Sequence, residues 1–98
     1  MSSIRQLMKQ AQEMQDRLQR ELAETVIEAS VGGGMVTVKM TGHKQVLAVK
    51  VDPEALDRED PSMLEDLLVA AFNEATRRVD ETLQGKVGSM AASMPNLF

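Results

Sequence analysis

From Ser3 to Glu24 the chain places Ile4, Leu7, Met8, Ala11, Met14, Leu18 and Leu22 at the i, i+3 and i, i+4 spacings of one helical face, with mostly polar residues elsewhere and no Gly or Pro. That spacing draws one apolar stripe down the side of a helix. Ser3 with Gln6 three positions later fits a capping box, so the helix is expected over residues 3–24. About twenty residues at 1.5 Å of rise make a rod roughly 30 Å long. A chain of 98 residues is too short to cover such a rod end to end. Part of the stripe is therefore expected to meet a second copy.

At residue 25 the residue types turn β-branched. Thr25 to Val31 reads as a strand that Gly32-Gly33-Gly34 ends in a turn. Residues 35–41 then alternate, with Val36, Val38 and Met40 on one face and Thr37 and Lys39 on the other. After a turn at Gly42-His43-Lys44, residues 45–51 form a third strand, with Leu47, Val49 and Val51 expected inward and Lys50 outward. Connections this short suit an antiparallel meander with one buried face. Asp52-Pro53 supplies a cap and a proline for a short helix over 53–57, and Asp60-Pro61, with Ser62 and Glu65, starts a second long helix. Its apolar residues, Leu64, Leu67, Leu68, Ala71, Phe72, Ala75, Val79 and Leu83, predict helix over 61–84. Gly85 and Gly88 weaken it thereafter, Pro95 forbids it near the end, and residues 87–98 are expected to be a flexible tail.

The chemistry this sequence can support is narrow. At 98 residues it is expected to form one domain. Two phenylalanines, without Trp or Tyr, leave no platform for base stacking, and zero cysteines remove thiolate metal sites and cysteine nucleophiles. His43, the one histidine, has no serine or acid placed to use it as a base and reads as a surface residue. Asp57 with Asp60, and Glu65 with Asp66, are acids of the kind that capping and the helix dipole select. Met8 and Met14 read as core fillers. Gly32-Gly33-Gly34 lacks the Lys, Ser/Thr and following helix of a phosphate loop. No catalysis, cofactor or metal is expected. No apolar run approaches the ~18 residues of a membrane span, and the N-terminus turns polar too soon for a signal peptide. The chain is expected to remain in the cytoplasm, away from membranes.

The net charge of −4 is unevenly spread. Residues 52–66 hold seven acids against Arg58 alone, a net of −6, whereas residues 1–51 net +2 and residues 67–98 balance. Arg17, Arg20, Arg77 and Arg78 lie among acids, and composition alone reads them as solvated faces with weak i,i+4 pairs. Arg5 and Lys9 share a face, and the first twelve residues hold no acid. The residues alone leave both phosphate contact and plain solvation open for these two.

Four blocks stand in order over nearly the whole chain: Leu7-Met8-Lys9-Gln10-Ala11-Gln12-Glu13-Met14-Gln15, Gly32-Gly33-Gly34-Met35-Val36-Thr37-Val38, Val51-Asp52-Pro53, and Leu64-Glu65-Asp66-Leu67-Leu68-Val69-Ala70-Ala71-Phe72-Asn73-Glu74-Ala75. Together they resemble the YbaB/EbfC family of bacterial nucleoid-associated proteins. The resemblance implies an α+β protomer in α-β-β-β-(short α)-α order, with a three-stranded antiparallel sheet and two long helices. It also implies a tweezer-like homodimer whose helices grip double-stranded DNA with low sequence specificity, in the nucleoid, where it bears on gene regulation. By position, Lys9 falls in the family's Met-Lys-Gln-Ala-Gln block, and Arg77-Arg78 fall where its second helix carries a basic pair. Arg5, Arg17, Arg20 and Lys86 join them as candidate DNA contacts on helix location and charge. Candidate dimer contacts are Ile4, Leu7, Met8, Ala11, Met14, Leu18, Leu68, Phe72, Ala75 and Val79. Two departures stand out: the tail keeps Pro95 and Phe98 but little glycine, and the arms carry many acids beside their bases.

The expectation is thus a homodimer binding duplex DNA through phosphates, without reading bases. The rival is a dimeric protein–protein adaptor that uses its exposed stripes, the acidic 52–66 segment and Phe98, with DNA binding incidental.

Overall fold

The computed structural model describes residues 2–93 of the chain. The element order is α1 (Ser2–Glu24), β1 (Val26–Val31), β2 (Val36–Thr41), β3 (Val46–Val51), a single 3₁₀ turn (Pro53–Ala55) and α2 (Pro61–Ser93). The three strands form one antiparallel sheet in the order β1-β2-β3. Ser3, expected at the cap, already lies inside α1.

The core lies where α2 crosses β1 and β2. Val36, Val38 and Met40 project from β2, Ala29 from β1, and Ala71, Ala75 and Val79 from one face of α2, all buried. The register explains the match, since Ala29 pairs with Val38, Val31 with Val36 and Ile27 with Met40, giving one apolar face. Alanines at 29, 71 and 75 let helix and sheet approach closely. The fully buried Val36, Val38 and Val79 each stabilise the fold by about 1.5–3 kcal/mol. The opposite face is polar, with Glu28 opposite Lys39 and the Ser30 and Thr37 hydroxyls hydrogen-bonded at 3.1 Å.

β3 departs from expectation. Val49 and Val51 do face the helix side, opposite Val38 and Val36, with Lys50 on the other side. α2 packs on β1 and β2 but barely reaches the third strand. A helix is about 10 Å wide and strands are about 4.8 Å apart, so one helix covers two strands. Of the residues expected inward, Leu47 and Val49 are exposed and Val51 is half-buried; Val46 is exposed as well, and a β-bulge skips Leu47 between the Lys39–Ala48 and Met40–Val46 pairs.

The long helix also outruns its expected end. α2 continues past Gly85 and Gly88 to Ser93, so residues 87–93 are helical rather than a loose tail. Each glycine costs about 1 kcal/mol in a helix, but extending an existing helix needs no new nucleus. Residues 94–98, with Pro95 and Phe98, lie outside the described residues.

The acids of residues 52–66 close turns, as capping predicts. Asp52 Oδ1 accepts the Glu54 N–H at 2.9 Å, Asp57 Oδ1 accepts the Glu59 N–H at 2.9 Å, and Asp60 Oδ1 accepts the Ser62 hydroxyl at 2.5 Å.

α1 leaves the body as a rod. The chain measures 70 × 22 × 15 Å with a radius of gyration of 19.2 Å, against about 13 Å for a compact chain of this length. Of its stripe only Leu22 is buried and Leu18 half-buried, while Leu7 and Met8 are 65% and 68% exposed.

Candidate nucleic-acid interface

Four cations line α1. At about 100° per residue, Arg5, Lys9 and Arg20 fall within roughly 60° of one another, with Arg17 beside them, on the side away from the apolar stripe. The stripe and the cationic face can therefore be used at once. Glu13, Asp16, Glu21 and Glu24 offset four charges over the whole helix, but none of these acids lies before residue 13. The tip alone is cationic, and the positive end of the helix dipole adds to it. Among the described residues, Arg5, Lys9, Arg17 and Arg20 take part in no ion pair.

Arg77 and Arg78 are placed differently. Glu74 sits between them, taking Arg77 Nη2 at 2.5 Å, Arg77 Nε at 3.1 Å and Arg78 Nε at 3.1 Å. Arg77 Nη1 also donates to Glu81, and Arg78 Nη1 donates to the Glu28 carbonyl of β1 at 2.8 Å. Hydrogen bonds from Arg77 and then Arg78 hold the Glu74 carboxyl well below the usual range, at about 2. Two acids and two bases cancel here, and Arg78 staples α2 to the sheet. Lys86 lies 3.9 Å from Glu21, tying α2 to the base of α1.

Among the expected dimer contacts, Ala75 and Val79 have no exposed surface and belong to the protomer's own core, while Leu68 and Phe72 pack against that core and stay half-buried. Ile4, Leu7, Met8, Ala11 and Met14 remain exposed.

The seat of α1 was not legible in the sequence. The Gly42 N–H donates to the Leu22 carbonyl at 2.9 Å, and a Cβ at Gly42 would stand 2.7 Å from that oxygen and 3.0 Å from the Leu22 Cα. The left-handed conformation in this turn belongs instead to Lys44, at φ 64°. Gly42 is thus required by close backbone approach rather than by the turn. His43 Nε2 lies 3.0 Å from the Gln19 carbonyl, and Lys44 Nζ lies 2.9 Å from Asp80. A shallow cleft between the helix and this turn is lined by Asp16, Gln19, Arg20, Ala23 and His43. A sequence signal existed only in part: glycine beside His-Lys marks a turn but not what packs on it.

Among the described residues, no group of three or more His, Cys, Asp or Glu side chains is arranged to hold a metal ion. No described helix is long and apolar enough to cross a membrane.

Comparison with known proteins agrees with this architecture. A crystal structure of an uncharacterized Helicobacter pylori protein superimposes with a TM-score of 0.78 at 23% identity, covering 92% of this chain and 95% of that one, which shows the shared fold. A nucleoid-associated protein of Koribacter versatilis is 46% identical over 92 residues, 94% of this chain and 91% of that protein. One of Chloroflexus aurantiacus is 40% identical over 97 residues, covering 96% and 97%. The sequence pattern of the YbaB/EbfC DNA-binding family matches residues 1–94. The chain belongs to that family.

Proposed function

We propose that the protein acts as a homodimer that holds double-stranded DNA through phosphate contacts from its α1 arms, with little regard to base sequence, and so helps organise the nucleoid in the cytoplasm. The observation that carries this reading is the α1 tip, a projecting helix end with Arg5 and Lys9 exposed and no acid before Glu13. Arg17 and Arg20 extend the contact face toward the body. Arg77 and Arg78, already matched by Glu74 and Glu81, contribute to the scaffold that carries the arm.

A second copy is called for by the uncovered apolar surface. β3 presents Val46, Leu47 and Val49 along a sheet edge, and α1 presents Ile4, Leu7, Met8 and Met14. Edges and stripes of this kind are unstable alone in water and pair readily. The names of the relatives, nucleoid-associated proteins, support the nucleoid as the place of action, and a bearing on gene expression follows from binding there.

Phosphate contacts position a protein without specifying sequence. About three contacts per protomer neutralise about six phosphates, and affinity then falls roughly a thousandfold between 50 and 200 mM salt. A gel-shift titration against salt on two unrelated duplexes tests this. Similar affinities with a steep salt dependence are expected; flat affinity across that range would leave the adaptor as the better reading.

A further inference from the structure

We propose that the β2–β3 turn, Gly42-His43-Lys44, is the clamp that sets the direction of the α1 arm, and that His43 is a positioning residue for the cations at the arm's tip. The proposal rests on the reading of α1 as the DNA-holding arm. It goes beyond that reading by assigning a role to residues that touch no DNA.

Three contacts gather on the last two turns of α1. The Gly42 N–H satisfies the Leu22 carbonyl, one of the end carbonyls that a helix leaves without an internal partner. His43 reaches the Gln19 carbonyl, one turn closer to the tip. A carbonyl oxygen only accepts, so His43 Nε2 carries the hydrogen and donates, and the second lone pair of Gln19 receives it. Leu22 buries its side chain at the same place. α1 has no basic residue of its own in its last turn, so a donor arriving 24 residues later in sequence fills the place of a C-terminal cation. Lys44, through Asp80, and Lys86, through Glu21, tie this corner to α2.

Two attachment points a turn apart define a direction, where one would define only a pivot. Leu22 to Arg5 spans about 25 Å of helix, so a swing of about 10° at the base moves the Arg5 Cα by about 4 Å. That exceeds the length of a charge-assisted hydrogen bond, about 2.8 Å. Losing the His43 contact therefore blurs where both tip cations meet the phosphates.

The chain has no cysteine, so an introduced pair is unique. Spin labels on Gln6→Cys, on the arm, and Asn73→Cys, on α2, diluted with unlabelled protein, report the arm direction by pulsed electron paramagnetic resonance without DNA. His43→Ala is expected to broaden the distance distribution by ~4 Å. His43→Gln, which keeps a donor at similar reach, is expected to restore it. Gly42→Ala is expected to shift its mean, because the new Cβ meets the Leu22 backbone. In DNA titrations His43→Ala should lower affinity roughly two- to tenfold, the worth of one hydrogen bond, while the salt slope, which counts phosphates, stays unchanged. An unchanged distribution for His43→Ala, or one that His43→Gln leaves equally broad, overturns the clamp. A broadened distribution with unaltered DNA affinity overturns the positioning role. Failure of the unsubstituted protein to bind DNA falls instead on the reading of α1 as the arm, and leaves the distance measurement to judge the clamp.

Discussion

α1 and α2 are both long amphipathic helices with aliphatic stripes at the same spacing, yet the molecule treats them in opposite ways. α2 lays Ala71, Ala75 and Val79 on the sheet and has no exposed surface at those positions, whereas α1 holds Ile4, Leu7 and Met8 out in solvent. Their charges divide in the same manner. Arg77 and Arg78 on α2 are locked to Glu74, while Arg5 and Lys9 on α1 have no ion-pair partner among the described residues. Periodicity therefore reports that a face wants cover, but not whether the cover comes from the same chain. The helix packed on its own sheet is scaffold; the one left bare is the surface that the proposed function assigns to assembly and to a polyanion.

The sharpest way to break this contrast is to place the same charge on each stripe. Val79→Asp puts a carboxylate into a fully buried site and is expected to cost at least about 3 kcal/mol, enough to unfold the chain in thermal denaturation. Leu7→Asp with Met14→Asp should leave the far-ultraviolet circular dichroism of the folded body intact while sedimentation shows a lone subunit. If the α1 pair unfolds the protein as readily, the two helices are not different in kind.

Next in size is the loss of the tip cations. If the proposed arm holds DNA as a dimer, Arg5→Glu with Lys9→Glu takes away about four phosphate contacts, so the salt slope should fall by about 3.6 and affinity for every duplex should drop alike. Arg77→Ala on α2 should change DNA affinity far less. A DNA effect for Arg77→Ala equal to that of the tip pair would erase the distinction drawn from the Glu74 cluster.

Acid titration sharpens the comparison further. The folded-state value of Glu74, about 2, lies below its ordinary value of 4.5. Its contribution to stability is therefore fully present above pH 4.5 and is lost as pH falls toward 2. Glu74→Gln should flatten the dependence of unfolding on pH in that window, and an unchanged profile would remove the cluster from the scaffold. The smallest effect is expected for Asp80→Asn, which breaks the exposed pair with Lys44. Such pairs contribute about 0.2–1 kcal/mol, read as a minor shift in chemical denaturation.

Much of the protomer was legible because its signals are local. Val36, Val38 and Met40 alternate, Asp52-Pro53 and Asp60-Pro61 mark two helical starts, and each stands where expected. Gly85 and Gly88 point to an earlier helix end than the one observed, because the cost of a glycine is local whereas extension of a long helix is cooperative. Within the candidate site, Arg5 and Lys9 stand out in the sequence because no acid precedes Glu13. The Glu74–Arg77–Arg78 cluster could be anticipated from its three- and four-residue spacing, but the reach of Arg78 to the Glu28 carbonyl, fifty residues away, could not.

By itself the sequence determined the order of the elements, which face of each is apolar, and where charge collects, since periods of 2 and 3.6 residues are written in neighbouring positions. Only the tertiary structure decided which faces are covered. One helix is wide enough for two strands, so β3 and α1 are left bare, and a glycine turn between β2 and β3, remote in the chain, becomes the seat of the arm.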